Sequence, residues 1–189
     1  GKKVIQVAPG DYHTMALTED GGVYTWGTGE TGSLGYGPTS LSSYFPREVN
    51  MTNILAGAKV IQVCAGGSFS SVLTDDGRLL FWGSLDFQVY GIQSAPRYFY
   101  PEEYYLGELS TKNITSIVSG TSHLFALTDE GKLYGWGGNM FGQLCTSSLD
   151  SSEVPVATHV TEDLKSKRFI SVASALTVTL AVTEQGELC

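Results

Sequence analysis

The sequence predicts an all-β fold built from repeated four-stranded units, about three and a half of them. Three observations carry that prediction. First, Asp20-Gly21-Gly22-Val23-Tyr24-Thr25-Trp26-Gly27 returns at Asp76–Gly83 and at Glu130–Gly137, so Trp26, Trp82 and Trp136 stand 56 and 54 residues apart. A fixed internal period decides the architecture ahead of any local propensity. Second, every copy places an acidic or amide residue before Gly (Asp20-Gly21, Asp76-Gly77, Glu130-Gly131, Gln185-Gly186) between apolar runs, and Asp-Gly in that setting is a strong hairpin signal. Third, Pro46, Pro101 and Pro155 keep nearly the same spacing. Proline cannot donate to a sheet ladder, so each marks an edge strand.

Each copy opens with a short β-branched run: Val4-Ile5-Gln6-Val7, Val60-Ile61-Gln62-Val63, Ile114-Thr115-Ser116-Ile117 and Phe169-Ile170-Ser171-Val172. Such runs followed by small residues read as buried strands. Gly10, Gly66 and Gly120 follow at one place, implying positive φ or a close backbone approach there. The fourth copy has Ala175 instead, which predicts an altered turn.

The second strands are His13–Thr18, Phe69–Thr74, His123–Thr128 and Val178–Thr183, each ending in Leu or Val and then Thr. They form hairpins with the tryptophan strands, and Gly21, Gly77 and Gly131 are the turn residues that need positive φ. The fourth copy stops at Gln185-Gly186-Glu187-Leu188-Cys189. A glycine-rich loop follows each tryptophan, Gly27–Gly35 in the first repeat and Gly137–Cys145 in the third. The outer strands then run through Phe45–Val49, Tyr100–Tyr104 and Val154–Ala157. Short helical turns are expected at Asn53–Lys59 and Thr161–Lys167. Four antiparallel strands with an edge proline outermost describe a propeller blade.

The motif Gly120…His123…Ala126-Leu127…Glu130-Gly131…Tyr134…Trp136-Gly137…Asn139…Gly142-Gln143-Leu144 resembles the repeat of the RCC1 (regulator of chromosome condensation) family. WD40 repeats are shorter, and no tryptophan here precedes an aspartate. The resemblance spans the whole chain and implies an RCC1-type β-propeller, seven blades when complete, of which residues 1–189 supply a partial one. As one segment, its repeats are 4–59, 60–113, 114–168 and a truncated 169–189. Such a segment is expected to form an open arc and to associate through its open ends. The loop Leu85–Gly91 lacks the family's Asn and Gly-Gln-Leu, and Cys145 replaces its usual last glycine.

Function is less directly written. The net charge is −8, with eleven scattered Lys and Arg, which disfavours direct binding to nucleic-acid phosphates and suits a basic partner. No apolar run reaches the ~20 residues of a membrane span. Cys64, Cys145 and Cys189 form an odd set without a CxxC, read as buried or incidental thiols of a reducing, intracellular compartment, cytoplasmic or nuclear. Asn50-Met51-Thr52 and Asn113-Ile114-Thr115 are read as chance glycosylation patterns.

Gly27-Thr28-Gly29-Glu30-Thr31-Gly32 matches GxGxxG, but Tyr36-Gly37-Pro38 follows where a dinucleotide site needs a helix. His13, His123 and His159 offer no metal spacing, and no nucleophile–His–acid set stands out. No catalytic, cofactor-binding or metal-ligating residue is assigned. Gly21, Trp26, Gly77, Trp82, Gly131 and Trp136 are read as structural repeat positions. The aromatic run Tyr98–Leu106 is the most distinctive stretch outside the repeat. Its Tyr98, Tyr100, Tyr104 and Tyr105 either pack on the neighbouring blade or anchor a partner, as aromatics do at interface hot spots.

The expected function is a non-enzymatic scaffold for protein–protein interaction. The resemblance adds an alternative. The family's founding member is a guanine-nucleotide exchange factor for the GTPase Ran and binds chromatin through histones, so a small Ran-like GTPase or histones are the implied partners. Other members carry these repeats within ubiquitin ligases, kinases, ciliary proteins and photoreceptors. The exchange residues lie in loops outside the repeat motif, so none is carried over to this chain.

Overall fold

The structure is a computed structural model and describes residues 1–39, 42–85, 97–146, 153–160 and 162–189. Among these, the first blade comprises β1 (Val4–Pro9), β2 (His13–Thr18), β3 (Val23–Thr28) and β4 (Ser42–Glu48). The second comprises β5 (Val60–Ala65), β6 (Phe69–Thr74), β7 (Leu79–Gly83) and β8 (Tyr98–Glu103). The third comprises β9 (Ile114–Ser119), β10 (His123–Thr128), β11 (Leu133–Gly138) and β12 (Glu153–His159), and a hairpin of β13 (Phe169–Ala175) and β14 (Val178–Thr183) follows. Each blade is an antiparallel meander with its strands in sequence order. Helix is confined to α1 (Thr52–Leu55), α2 (Glu162–Lys165) and a 3-10 turn at Gly107–Thr111 that the sequence did not signal. The chain divides into two compact units, Gly1–Tyr104 with the first two blades and Tyr105–Cys189 with the third and the hairpin.

The glycine-bearing hairpin turns share one geometry. Gly21, Gly77, Gly131 and Gly186 take φ of 85°, 84°, 72° and 81°, the left-handed region open to glycine without Cβ penalty. The threonine ending each second strand closes the turn: Thr74 Oγ1 donates to Arg78 O and accepts from Arg78 N at 3.0 Å, and Thr128 repeats this with Lys132. Gly10, Gly66 and Gly120 answer the other need stated for them. None has a left-handed φ, but a Cβ on Gly10 would lie 2.3 Å from Gly66 O, and one on Gly120 2.2 Å from His123 Cε1. The fourth copy keeps the tight turn with Ala175 opposite Val178, and Leu176 takes φ 46°.

Two irregularities recur that periodicity alone does not reveal. The innermost pair of every blade carries a one-residue bulge, at Ile5, Ile61, Thr115 and Ile170. A bulge re-aims a side chain, and Ile5, Ile61 and Ile170 are exposed. The outer strand carries a wider bulge opposite each tryptophan, spanning 44–46, 99–101 and 155–157. Pro46 and Pro101 close theirs, whereas Pro155 opens its own, so the third proline sits two places off in register.

Blades within a unit are joined by side chains as well as by apolar packing. In the first unit Gln6 Nε2 donates to Val63 O at 2.9 Å and Gln6 Oε1 accepts from Val63 N at 3.0 Å. Met15, Leu17, Val63, Val72, Leu80 and Trp82 form one buried cluster there. In the second unit Phe125, Leu133, Leu144, Phe169 and Ala181 form another.

Candidate interaction surface

The glycine-rich loop of the first repeat is a packing device. Its Ser33 carbonyl accepts Trp82 Nε1–H and the Ser70 hydroxyl, both at 2.8 Å. Thr31 Oγ1 donates to Ser68 O at 3.0 Å. Gly32, Gly35 and Gly37 are left-handed, and no helix follows, so the loop lacks the helix N-terminus a phosphate site requires. The third-repeat loop is held by its own side chains: Asn139 Oδ1 accepts Leu144 N–H and Gln143 Oε1 accepts Phe141 N–H, each at 3.0 Å. Most of the second repeat's loop, 86–91, lies outside the described residues.

The structure separates the tryptophans. Trp82 and Trp136 are fully buried, while Trp26 is half-buried. The glycine after each takes φ of 109°, 94° and 101°. A Cβ there would meet a turn carbonyl, 2.5 Å from Tyr12 O, 2.4 Å from Ser68 O or 2.6 Å from Ser122 O. This explains the Trp-Gly pair on steric grounds.

His13 and His123 are buried, and burial lowers the pKa of each to about 4. His13 Nε2 meets Ser70 Oγ at 2.8 Å, and His123 Nε2 meets Ser174 Oγ at 2.6 Å and Thr179 Oγ1 at 3.0 Å. They are neutral connectors between blades. Among the described residues no group of three His, Cys, Asp or Glu could hold a metal, and no helix is long and apolar enough to cross a membrane.

The four tyrosines divide two and two. Tyr98 is half-buried, edge-on to Phe81 with centroids 5.9 Å apart, and the Tyr104 ring is tilted against Phe81 at 5.4 Å. Tyr100 is 57% exposed and Tyr105 76%. The Tyr100 ring lies against Gly37, where a Cβ would come within 2.6 Å of its hydroxyl oxygen. Tyr105 is the first residue of the second unit.

The sequence reading missed Tyr44 and passed over Phe45, which are 89% and 78% exposed on the β4 bulge. The signal was present: Tyr44-Phe45-Pro46 and Phe99-Tyr100-Pro101 are the same aromatic-aromatic-proline bulge, 55 residues apart. Ser43 Oγ donates to Phe45 O at 2.8 Å and braces the first of them. Glu48, Glu102 and Glu103 follow the aromatics within a few residues on the same outer strands, and Glu48 accepts from the Tyr24 hydroxyl at 3.0 Å. This arrangement suits contact with another macromolecule: aromatic tips on a braced strand edge, with acidic neighbours.

The regulator of chromosome condensation (RCC1) repeat matches residues 20–73 and 130–182, and a second pattern of the same description matches 4–32 and 114–143. The chain is 34% identical over 188 residues to the ultraviolet-B receptor UVR8 of Arabidopsis thaliana, covering 100% of this chain and 41% of that protein. It is 34% identical over 192 residues to the mitochondrial RCC1 domain-containing protein RUG3 of the same plant, again over 41% of the relative. It thus spans less than half the length of these relatives. The crystal structure of human WBSCR16 superposes with a TM-score of 0.79 at 26% identity, over 99% of this chain and 47% of that one. Yeast Prp20 shares the fold at a TM-score of 0.56 and 20% identity. With the repeat pattern matched in both halves and the blades laid out strand by strand, the chain belongs to the regulator of chromosome condensation (RCC1) repeat family.

Proposed function

We propose that this chain is a protein-interaction scaffold without an active site of its own, contacting its partner through exposed aromatics of the outer strands. The observation that carries this reading is the exposure of Tyr44, Phe45 and Tyr100 on rigid β bulges whose neighbouring aromatics are used in packing. A partner that covers them gains apolar burial without the cost of ordering a loop. The acid excess favours a basic segment, such as a histone tail, and an intracellular setting, cytoplasmic or nuclear, goes with it.

The second reading is an exchange regulator of a small Ran-like GTPase. The Prp20 structure is described with its binding to Gsp1p and histones; at that identity the likeness carries the fold, and the activity comes to this chain as a hypothesis.

Two measurements on the full chain separate the readings. Titration calorimetry with histone-tail peptides should give micromolar binding that weakens at least tenfold in the Tyr44→Ala/Phe45→Ala variant. Release of a fluorescent guanine nucleotide from a Ran-like GTPase should be unchanged by the chain. Equal histone binding by wild type and variant would remove the aromatic surface from the account, and accelerated nucleotide release would establish the exchange reading instead.

A further inference from the structure

Two of the three cysteines lie in the second unit, Cys145 exposed and Cys189 half-buried, whereas Cys64 is buried in the first. Cys145 ends the glycine-rich loop of the third repeat, where the first repeat has Gly35. It keeps that glycine's left-handed backbone, φ 49° against 76°, despite carrying a side chain. In the first unit a Cβ at Gly35 would stand 3.0 Å from Trp82 Nε1 and 3.1 Å from Val49 Cγ1. That position therefore lies against the indole of Trp82, which stands two residues after Leu80 on the same face of the following blade's third strand.

Cys189 occupies the place of Leu80. It exchanges both backbone hydrogen bonds with Ala181, at 2.9 and 2.8 Å, in the register by which Leu80 faces Val72. Its side chain packs on the cluster that contains Leu144, the neighbour of Cys145. The Cys189 thiol thus packs at the seam between the third blade and the β13–β14 hairpin, beside the loop that the exposed Cys145 ends. Lys167 Nζ lies 3.8 Å from Cys189 Sγ and is itself held by Glu187 at 2.7 Å.

We propose that Cys145 and Cys189 are a disulfide site that fastens the glycine-rich loop of the third blade to residues 187–189, which pair with β14. Burial first, and then Cys189, raise the pKa of Cys145. With oxidised glutathione as oxidant, the Cys189 thiolate attacks one glutathione sulfur and expels the first glutathione thiolate. Cys145 then loses its proton and attacks the Cys189 sulfur of the mixed disulfide, expelling the second. One S–S bond is broken and one is formed overall. The protein gives up two electrons and two protons, and two molecules of reduced glutathione result.

The test is peptide mapping without reductant on the full chain, equilibrated across a series of oxidised-to-reduced glutathione ratios. The expected result is a Cys145–Cys189 cross-linked peptide pair, with Cys64 remaining a thiol. Cys145→Ser and Cys189→Ser should each hold glutathione on the remaining cysteine instead. Oxidation should raise the Tm by about 5–10 °C in the wild type and in neither variant. Separate glutathione adducts on both cysteines of the wild type, or a cross-link to Cys64 or between chains, would overturn the proposal. The wild-type map decides the matter even if a variant fails to fold.

Discussion

His13 Nε2 and Ser70 Oγ meet at 2.8 Å across the boundary between the first two blades. Ser70 spends its own hydrogen on Ser33 O, so the imidazole must be the donor and Nδ1 carries no proton. Nδ1 is buried without a partner among the described groups. Protonation would place a charge on that buried, unpartnered ring.

The pH consequence has a definite sign. His13 and His123 have folded pKa values of about 4 against 6.5 for the free side chain. Between those values the unfolded chain binds more protons, so stability is complete above pH 6.5 and is lost as pH falls toward 4. The loss approaches ~3 kcal/mol per histidine. Urea unfolding from pH 7.5 to 4.5 should show it, and His13→Gln/His123→Gln should flatten the slope. An unchanged slope in the double variant would assign the acid sensitivity to carboxylates.

Trp82 combines complete burial with a hydrogen bond to Ser33 O at 2.8 Å. Trp82→Ala should cost ~3–5 kcal/mol. Trp82→Phe keeps most of the volume but leaves the carbonyl short of one donor, a cost of ~1–3 kcal/mol. Trp26 is half-buried, so Trp26→Ala should cost less than Trp82→Ala. Equal losses in chemical denaturation would show that burial does not set the order.

Two left-handed glycines of the second blade should respond differently to alanine. Gly77 has φ 84° and open space around a new Cβ, so Gly77→Ala meets backbone strain alone, ~1–2 kcal/mol. Gly83 has φ 94° and a Cβ there would lie 2.4 Å from Ser68 O. Gly83→Ala adds a backbone clash and should lower the Tm several degrees further. Thermal unfolding of the two variants side by side checks the order.

Thr74 offers a smaller effect of known origin. Its hydroxyl donates to Arg78 O and accepts from Arg78 N at 3.0 Å. Thr74→Val keeps the β-branched shape and removes both bonds together with the hydroxyl's contact to Asp76 Oδ1, which competes for its single hydrogen, a loss of ~1–2 kcal/mol. Calorimetric unfolding indistinguishable from wild type would mean that the turn holds through its backbone alone.

The blade strands and their order were legible because one signal was repeated. Period, tryptophan and Asp-Gly turn agree in each complete copy, so a local ambiguity in one copy is settled by the others. The bulges at Ile5 and opposite Trp26 were not legible, since a bulge displaces register without altering composition. The aromatic surface was half legible. Tyr98 and Tyr104 look like Tyr100 and Tyr105 in sequence, and only the position of Phe81 decides which pair packs. Cys145 and Cys189 stand 44 residues apart, and the proposal that joins them arises only when each is set beside its counterpart in the first unit, Gly35 and Leu80.

The Gln6 amide offers Val63 one carbonyl and one N–H, the same pair that a peptide unit would offer. The second blade therefore meets a surrogate stretch of backbone on the first, and its placement is gauged from this contact rather than from the length of chain between them. A connecting loop between these two blades can then lengthen or shorten without shifting one along the other. A foreign segment grafted into such a loop would be carried as passive cargo, whereas exchanging Gln6 for Leu, with no change in length anywhere, would remove one of the contacts that hold the register, beside His13 with Ser70 and Ser33 with Trp82.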